Sequence, residues 1–269
     1  MNCLFCKNIS DNSSSVEHII PESLGNKEHV LPKGIVCDQC NQYFAIKIEK
    51  EVLEQGYFKY ARSIQNIETK KGKIVPADGF IVHPEGGKIE IYKENNDISI
   101  GTDNNTIINL IRQEKINKLY VPHYFAPTPE NIPLSRLLGK MALEVLAGRA
   151  MQVDNWQKDI VYKTELDPLR QYVRYGPNSI KFWHYHQRIL YTPEQLFEDT
   201  QENSQPFEIL HEYTLHYSEA NELFFIVAIF GIEYAINMAG PDIETYVALL
   251  DSRNGRSILE VDHEKKWPQ

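Results

Sequence analysis

Short apolar runs broken by turn residues open the chain. Val16 to Ile20 sets β-branched residues around His18, as a strand does, and Pro21 ends the run. Leu24 to Lys27 reads as loop and Ile35-Val36 as a short returning strand. From Asp38 the period changes. Tyr43, Phe44, Ile46, Ile48, Val52, Leu53 and Phe58 are apolar, with Lys47, Glu49, Lys50, Glu51 and Glu54 between them. This predicts a helix with Asp38 as N-cap and Gly56 as its end or a break. Residues 73–101 predict a β-meander with strands at Ile74-Val75, Phe80 to Val82, Lys88 to Tyr92 and Ile98 to Ile100. Gly86-Gly87 and Asn95 to Asp97 mark its turns. Thr106 to Leu119 predicts a helix, and a Pro-rich connection runs from Pro122 to Pro133. Leu134, Leu137, Leu138, Met141, Ala142, Val145 and Leu146 mark the clearest amphipathic helix. Strands return at Ser179 to Tyr191, His211 to Tyr217, Leu223 to Phe230 and Tyr234 to Met238. The expected class is α+β, with an antiparallel sheet behind a small N-terminal module.

Length and charge narrow the reading. The 269 residues suit one large domain or two smaller ones. Twenty-eight Lys+Arg against 37 Asp+Glu give a net charge of -9. That excludes a generally basic nucleic-acid coat protein, so any nucleic-acid contact must use a local patch. Met1-Asn2-Cys3 opens no export-type run, and Leu223 to Ile232, the longest apolar stretch, is too short to span a bilayer. A cytoplasmic chain without membrane contact is expected.

All four cysteines fall in the first 40 residues, as two C-x-x-C pairs: Cys3 with Cys6, and Cys37 with Cys40. Two such pairs can close a tetrahedron of thiolates around one ion, which suits structural zinc. The 30 residues between the pairs exceed a simple finger spacing, so something else is folded inside the loop. Four thiolates close the zinc shell and leave it no open position for chemistry.

Inside that loop stand Glu17-His18-Ile19-Ile20-Pro21, and Asn41 directly follows the last cysteine. Glu-His-Ile-Ile-Pro followed by Cys-x-x-Cys-Asn resembles the HNH endonuclease family, in its zinc-containing form with paired knuckles. The resemblance covers roughly residues 1–60. It implies a ββα-metal module stapled by zinc on Cys3, Cys6, Cys37 and Cys40. It implies His18 as the general base that deprotonates a water. It implies Glu17 and Asn41 as ligands of a catalytic Mg2+ or Mn2+ ion. One position departs from the pattern: Pro32 stands where many members carry an asparagine that orients the base. Asn26 and His29 are the nearby polar groups. Adjacent strand residues point to opposite faces, so Glu17 and His18 address different partners unless the strand is locally irregular.

The expected division is residues 1–70 as the nuclease module and 71–269 as an α+β recognition or sensor domain. The first part nets -1 and the second -8. Nucleic acid is the expected partner, DNA ahead of RNA. A protein partner or trigger ligand through 71–269, and a homo-oligomer, stay open. Accessory domains of bacterial defence and restriction nucleases offer the analogy for 71–269. The alternative function is a catalytically inactive zinc adaptor that binds nucleic acid or protein. His184-Tyr185-His186 could place two histidines on one strand face, and a half-buried strand is the plainer reading.

Overall fold

Two short strands and a broken helix follow the first cysteine pair. The computed structural model describes residues 1–69, 71–94, 97–116, 118–192, 195–197 and 207–259. Strand β1 (Glu17–His18) pairs antiparallel with β2 (Val30–Leu31), with Glu17 opposite Leu31 and His18 opposite Val30. The returning strand therefore lies earlier than Ile35-Val36. Those two residues are buried, and the Ile35 carbonyl accepts from the Leu4 amide at 2.8 Å. Helix α1 (Asp38–Phe44) continues through a π turn at Ala45–Glu49 into α2 (Lys50–Leu53). Its N-cap is Cys37, and Asp38 is the first helical residue.

The chain forms two compact units. One holds Met1–Glu22, Asn26–Val52 and Thr128–Gln269; the other holds Ser23–Gly25 and Leu53–Pro127. The N-terminal segment shares its unit with helices far along the chain, which supply its packing surface. In the second unit, α3 (Gly56–Ile64) covers a sheet of β3 (Ala77–Ile81), β4 (Lys88–Glu94) and β5 (Asp97–Gly101). Helix α4 (Asn105–Arg112) precedes β6 (Leu119–Tyr120), and the sheet order is β5-β4-β3-β6. Ala77, Ile81, Ile89, Ile91 and Ile107 form its core. The helix expected over 106–119 stops at Arg112. Glu114 takes a left-handed φ of 56°, and the Lys115 amide returns to the Leu110 carbonyl, which ends a helix. The first expected strand also shifts: Ile74 makes only an isolated bridge to Glu68. The turn at Asn95 to Asp97 lies partly outside the described residues.

In the first unit, α5 (Ile132–Ala150) is the central helix, with Pro133 in its first turn and the Asn131 side chain capping the Leu134 amide. Helices α6 (Trp156–Ile160) and α7 (Asp167–Tyr175) follow. Gly139 allows the close crossing of α5 and α7: a Cβ there would lie 2.8 Å from Val173 Cγ2. Strand β7 (Tyr185–Ile189) comes next, then the small pair β8 (Leu196–Phe197) and β9 (Phe207–Glu208). β10 (His211–Tyr217), β11 (Leu223–Ile229) and β12 (Ile232–Asn237) complete an antiparallel sheet in the order β10-β11-β12-β7. Nearly all of β11 and β12 is buried, as a strand covered on both faces must be. α5 packs on β12, and α8 (Glu244–Ser252) adds Tyr246 and Leu250 to Phe224, Ile226 and Ala235. The architecture is mixed helix and antiparallel sheet. Among the described residues no helix is long and apolar enough to cross a membrane.

Candidate functional site

The four cysteine sulfurs lie within 4.8 Å of one another. Cys3 Sγ is 3.7 Å from Cys40 Sγ, and Cys6 Sγ is 3.6 Å from Cys37 Sγ. Metal–sulfur bonds of ~2.3 Å in a tetrahedron give edges of about 3.8 Å, so the set matches a closed thiolate site. The thiols also compete for protons. A hydrogen bond from Cys40 draws Cys3 down to about 4, while Cys40 moves well up in exchange. Burial pushes Cys6 up to about 11. Cysteine binds a metal ion as the thiolate, so an ion held here would displace the thiol protons.

The C-terminal part of the chain clamps this cluster. Arg174 Nη1 donates to Cys40 Sγ. Arg170, buried, donates from Nε to the Leu4 carbonyl at 2.9 Å. Lys7 Nζ meets Asp167 Oδ1 at 2.7 Å. All three contacts run to α7, an element the apolar pattern did not single out. The Asp167-Pro168 start, with Leu169, Tyr172 and Val173 on one face, was the signal for it.

The hairpin residues separate as strand geometry requires. His18 is half-buried, and its Nδ1 is a buried atom with no hydrogen-bond partner. Glu17 turns inward, 5% exposed, and its Oε1 accepts from Lys140 Nζ at 2.6 Å. Lys140 sits on α5 and is fully buried. Its ammonium also meets Glu144 Oε2 at 3.1 Å, Glu49 Oε1 at 3.2 Å and the His18 carbonyl at 3.4 Å. Burial alone would lower the Lys140 pKa, but Glu144, Glu17 and Glu49 hold it well above the usual lysine value. Burial raises Glu17 and, more strongly, Glu144. Glu17 Oε2 and Glu144 Oε1 remain without partners. Lys140 and Glu144 escaped the sequence reading; their signal was a charged i, i+4 pair inside the apolar run of α5. The π turn brings Glu49 to the same ammonium.

Two asparagines set the loop. Asn41 lies in the first turn of α1, half-buried, and its Nδ2 donates to the Val16 carbonyl at 3.2 Å. Asn26 is buried. Its Nδ2 donates to the Ile20 and His29 carbonyls, and its Oδ1 accepts from the Glu28 and His29 amides. Asn26 thus spans the turn from β1 to β2, and these four bonds all go to turn backbone. Asp38 accepts from the amides and hydroxyls of Ser14 and Ser15, which pull it down to about 2.

Other sequence candidates resolve plainly. His184 precedes β7, and the His186 ring packs on Tyr246. Among the described residues, the cysteines form the only cluster of histidine, cysteine and carboxylate groups placed to hold a metal. The His211 ring packs edge-on against His29 at 5.9 Å.

No curated protein and no solved structure matches the chain. A family model does match over residues 3–56, the span of both cysteine pairs, the β1–β2 hairpin and α1. It is that of the HNH endonuclease, so the resemblance drawn from the two motifs holds for the segment that carries them.

Proposed function

We propose that the protein is a metal-dependent endonuclease that hydrolyses phosphodiester bonds in nucleic acid, with DNA taken ahead of RNA on the family resemblance. Structural zinc on Cys3, Cys6, Cys37 and Cys40 holds the hairpin to α1. His18 is the general base. It takes a proton from water, the water oxygen bonds to phosphorus, and the bond to the 3′ oxygen breaks. Histidine suits this because its ordinary pKa lies near neutral pH. What supports the reading is a pair of orphaned polar atoms in consecutive motif residues, Glu17 Oε2 and His18 Nδ1. An ion at Glu17 Oε2 would satisfy one of them and a water at His18 Nδ1 the other. Glu17 through Oε2 and Asn41 through its amide oxygen are the groups offered to Mg2+ or Mn2+. Such an ion supplies positive charge to the phosphate as negative charge builds on it. The chain's own part is positional. Asn41 is tied to Val16, Asn26 closes the turn, and Lys140 holds both Glu17 and the His18 carbonyl.

One observation favours the alternative, a zinc adaptor without catalysis: Lys140 already neutralises Glu17. Plasmid nicking separates the two. Purified protein is incubated with supercoiled plasmid and Mg2+, Mn2+ or EDTA. Cleavage is expected with the ions alone. His18→Ala should lower its rate by ~10²–10⁴ while zinc content stays at one per chain. Nicking by His18→Ala at the wild-type rate removes His18 as the base, and no nicking under any condition favours the adaptor.

A further inference from the structure

A cavity of about 320 Å³ opens beside the hairpin, and its wall comes from three distant parts of the first unit. Val30 and His29 supply one side, the C-terminal end of α5 with Arg149 a second, and Tyr213 of β10 the third. The His29 ring stands edge-on to Tyr213 at 5.3 Å. His29 and Arg149 are exposed, and Tyr213 is half-buried. Glu28 is the acidic residue in the lining.

The position matters because Val30 is the register partner of His18. Directly opposed residues share a sheet face and lie ~4.5–5.5 Å apart between Cα atoms. The cavity therefore takes part of its wall from the strand opposite the residue that the nuclease reading makes the base, with Val30, Leu31 and Ile19 in the lining. We propose that it is the subsite for the nucleotide adjoining the cleaved phosphate, with Arg149 holding that nucleotide's phosphate and the His29–Tyr213 pair packing together against one side of its base. This rests on the nuclease reading. Guanidinium forks suit phosphate oxygens, and aromatic rings take any base face without reading sequence. The site also answers the charge problem. The first unit has 18 Lys+Arg and 28 Asp+Glu, a net of -10, so a polyanion needs a local cation close to the hairpin.

The test uses the full-length zinc-loaded protein and a fluorescein-labelled 20-nucleotide single strand and its duplex. Binding is read by anisotropy without added Mg2+ or Mn2+ across a salt series, and cleavage kinetics are read separately in Mg2+ or Mn2+. Arg149→Ala should weaken binding about tenfold at low salt. It should lower the slope of log affinity against log salt by about 0.7–0.9, the value of one lost phosphate contact. KM should rise with kcat unchanged. Arg149→Lys should restore the slope, because a charge remains. Tyr213→Leu should weaken binding at an unaltered slope. Lys158→Ala, which removes the same charge from the exposed surface of α6, is the control and should change neither. An Arg149→Ala protein indistinguishable from Lys158→Ala overturns the subsite while leaving the nuclease intact. A wild-type protein that neither binds nor cuts either probe overturns both.

Discussion

Lys140 is the residue whose environment constrains the N-terminal hairpin most. Its ammonium has no exposed surface and three carboxylates around it. Removing the cation strands Glu17 and Glu144, whose side chains are 6% and 0% exposed. Breaking a buried pair from one side typically costs ~3–5 kcal/mol, so Lys140→Met should lower the thermal midpoint clearly in calorimetry. A midpoint within a degree of wild type would show that the cluster relaxes by protonation instead. Glu17→Gln tests the ion-binding role at the same scale. It keeps a polar group beside Lys140 but weakens the affinity for a hard cation, so the Mg2+ titration of nicking should shift to higher concentration. Asn41→Ala should shift it likewise, with zinc content unchanged. Asp38 gives the pH dependence. Its folded pKa falls from 3.8 to about 2, so the stability it contributes is present above its ordinary pKa and is lost as pH falls through about 2. Asp38→Asn should flatten that part of the acid unfolding curve, read by circular dichroism between pH 5 and pH 2.

At the scale of elements, the cysteine cluster and α7 are one mechanical piece. Arg174 reaches Cys40, and Arg170 ties Leu4 to the Lys163 and Ile160 carbonyls as well as to Asp167. Structural zinc contributes ~10–16 kcal/mol in small zinc-finger peptides, and here that stabilisation should reach beyond the knuckles. Stripping the metal, or making Cys37→Ser, should speed amide hydrogen exchange in residues 3–10 and also in α7. The sheet β10-β11-β12-β7 should keep its protection, since Phe224, Ile226, Ala235, Tyr246 and Leu250 hold it from another side. Exchange that quickens in the knuckles alone would show that α7 is held by α5 without help from the cysteines.

The whole molecule bears on how small a nuclease unit can be. Residues 1–22 and 26–52 share a compact unit with 128–269, and α5 supplies the partner of Glu17. Ile19 and Leu31 pack where Gly148 leaves room: a Cβ there would be 3.8 Å and 3.4 Å from their methyl groups. A fragment of residues 1–70 would expose those surfaces and leave Glu17 unpaired. It should therefore show no cooperative thermal transition even with saturating zinc, whereas the full chain should. A sharp melt of the fragment would show that this module folds on its own.

The cysteine cluster was readable because its motif is local. Two C-x-x-C pairs are set by spacing, and the sulfurs converge as spacing implied. The long helix at 132–150 and the strands of the last sheet were readable because their apolar periods are long and regular. Short elements were not. The end of α4 depends on one left-handed residue, Glu114, and α7 is nine residues long with arginines on its buried side. Only the tertiary structure decided that Glu17 faces a lysine 123 positions away, that Arg174 reaches Cys40, and that Arg149, His29 and Tyr213 line one cavity with Val30. The physical reason is the same each time. A charged side chain carries no periodic signal, and its partner is chosen by which helices and strands pack together, which no local pattern along the chain records.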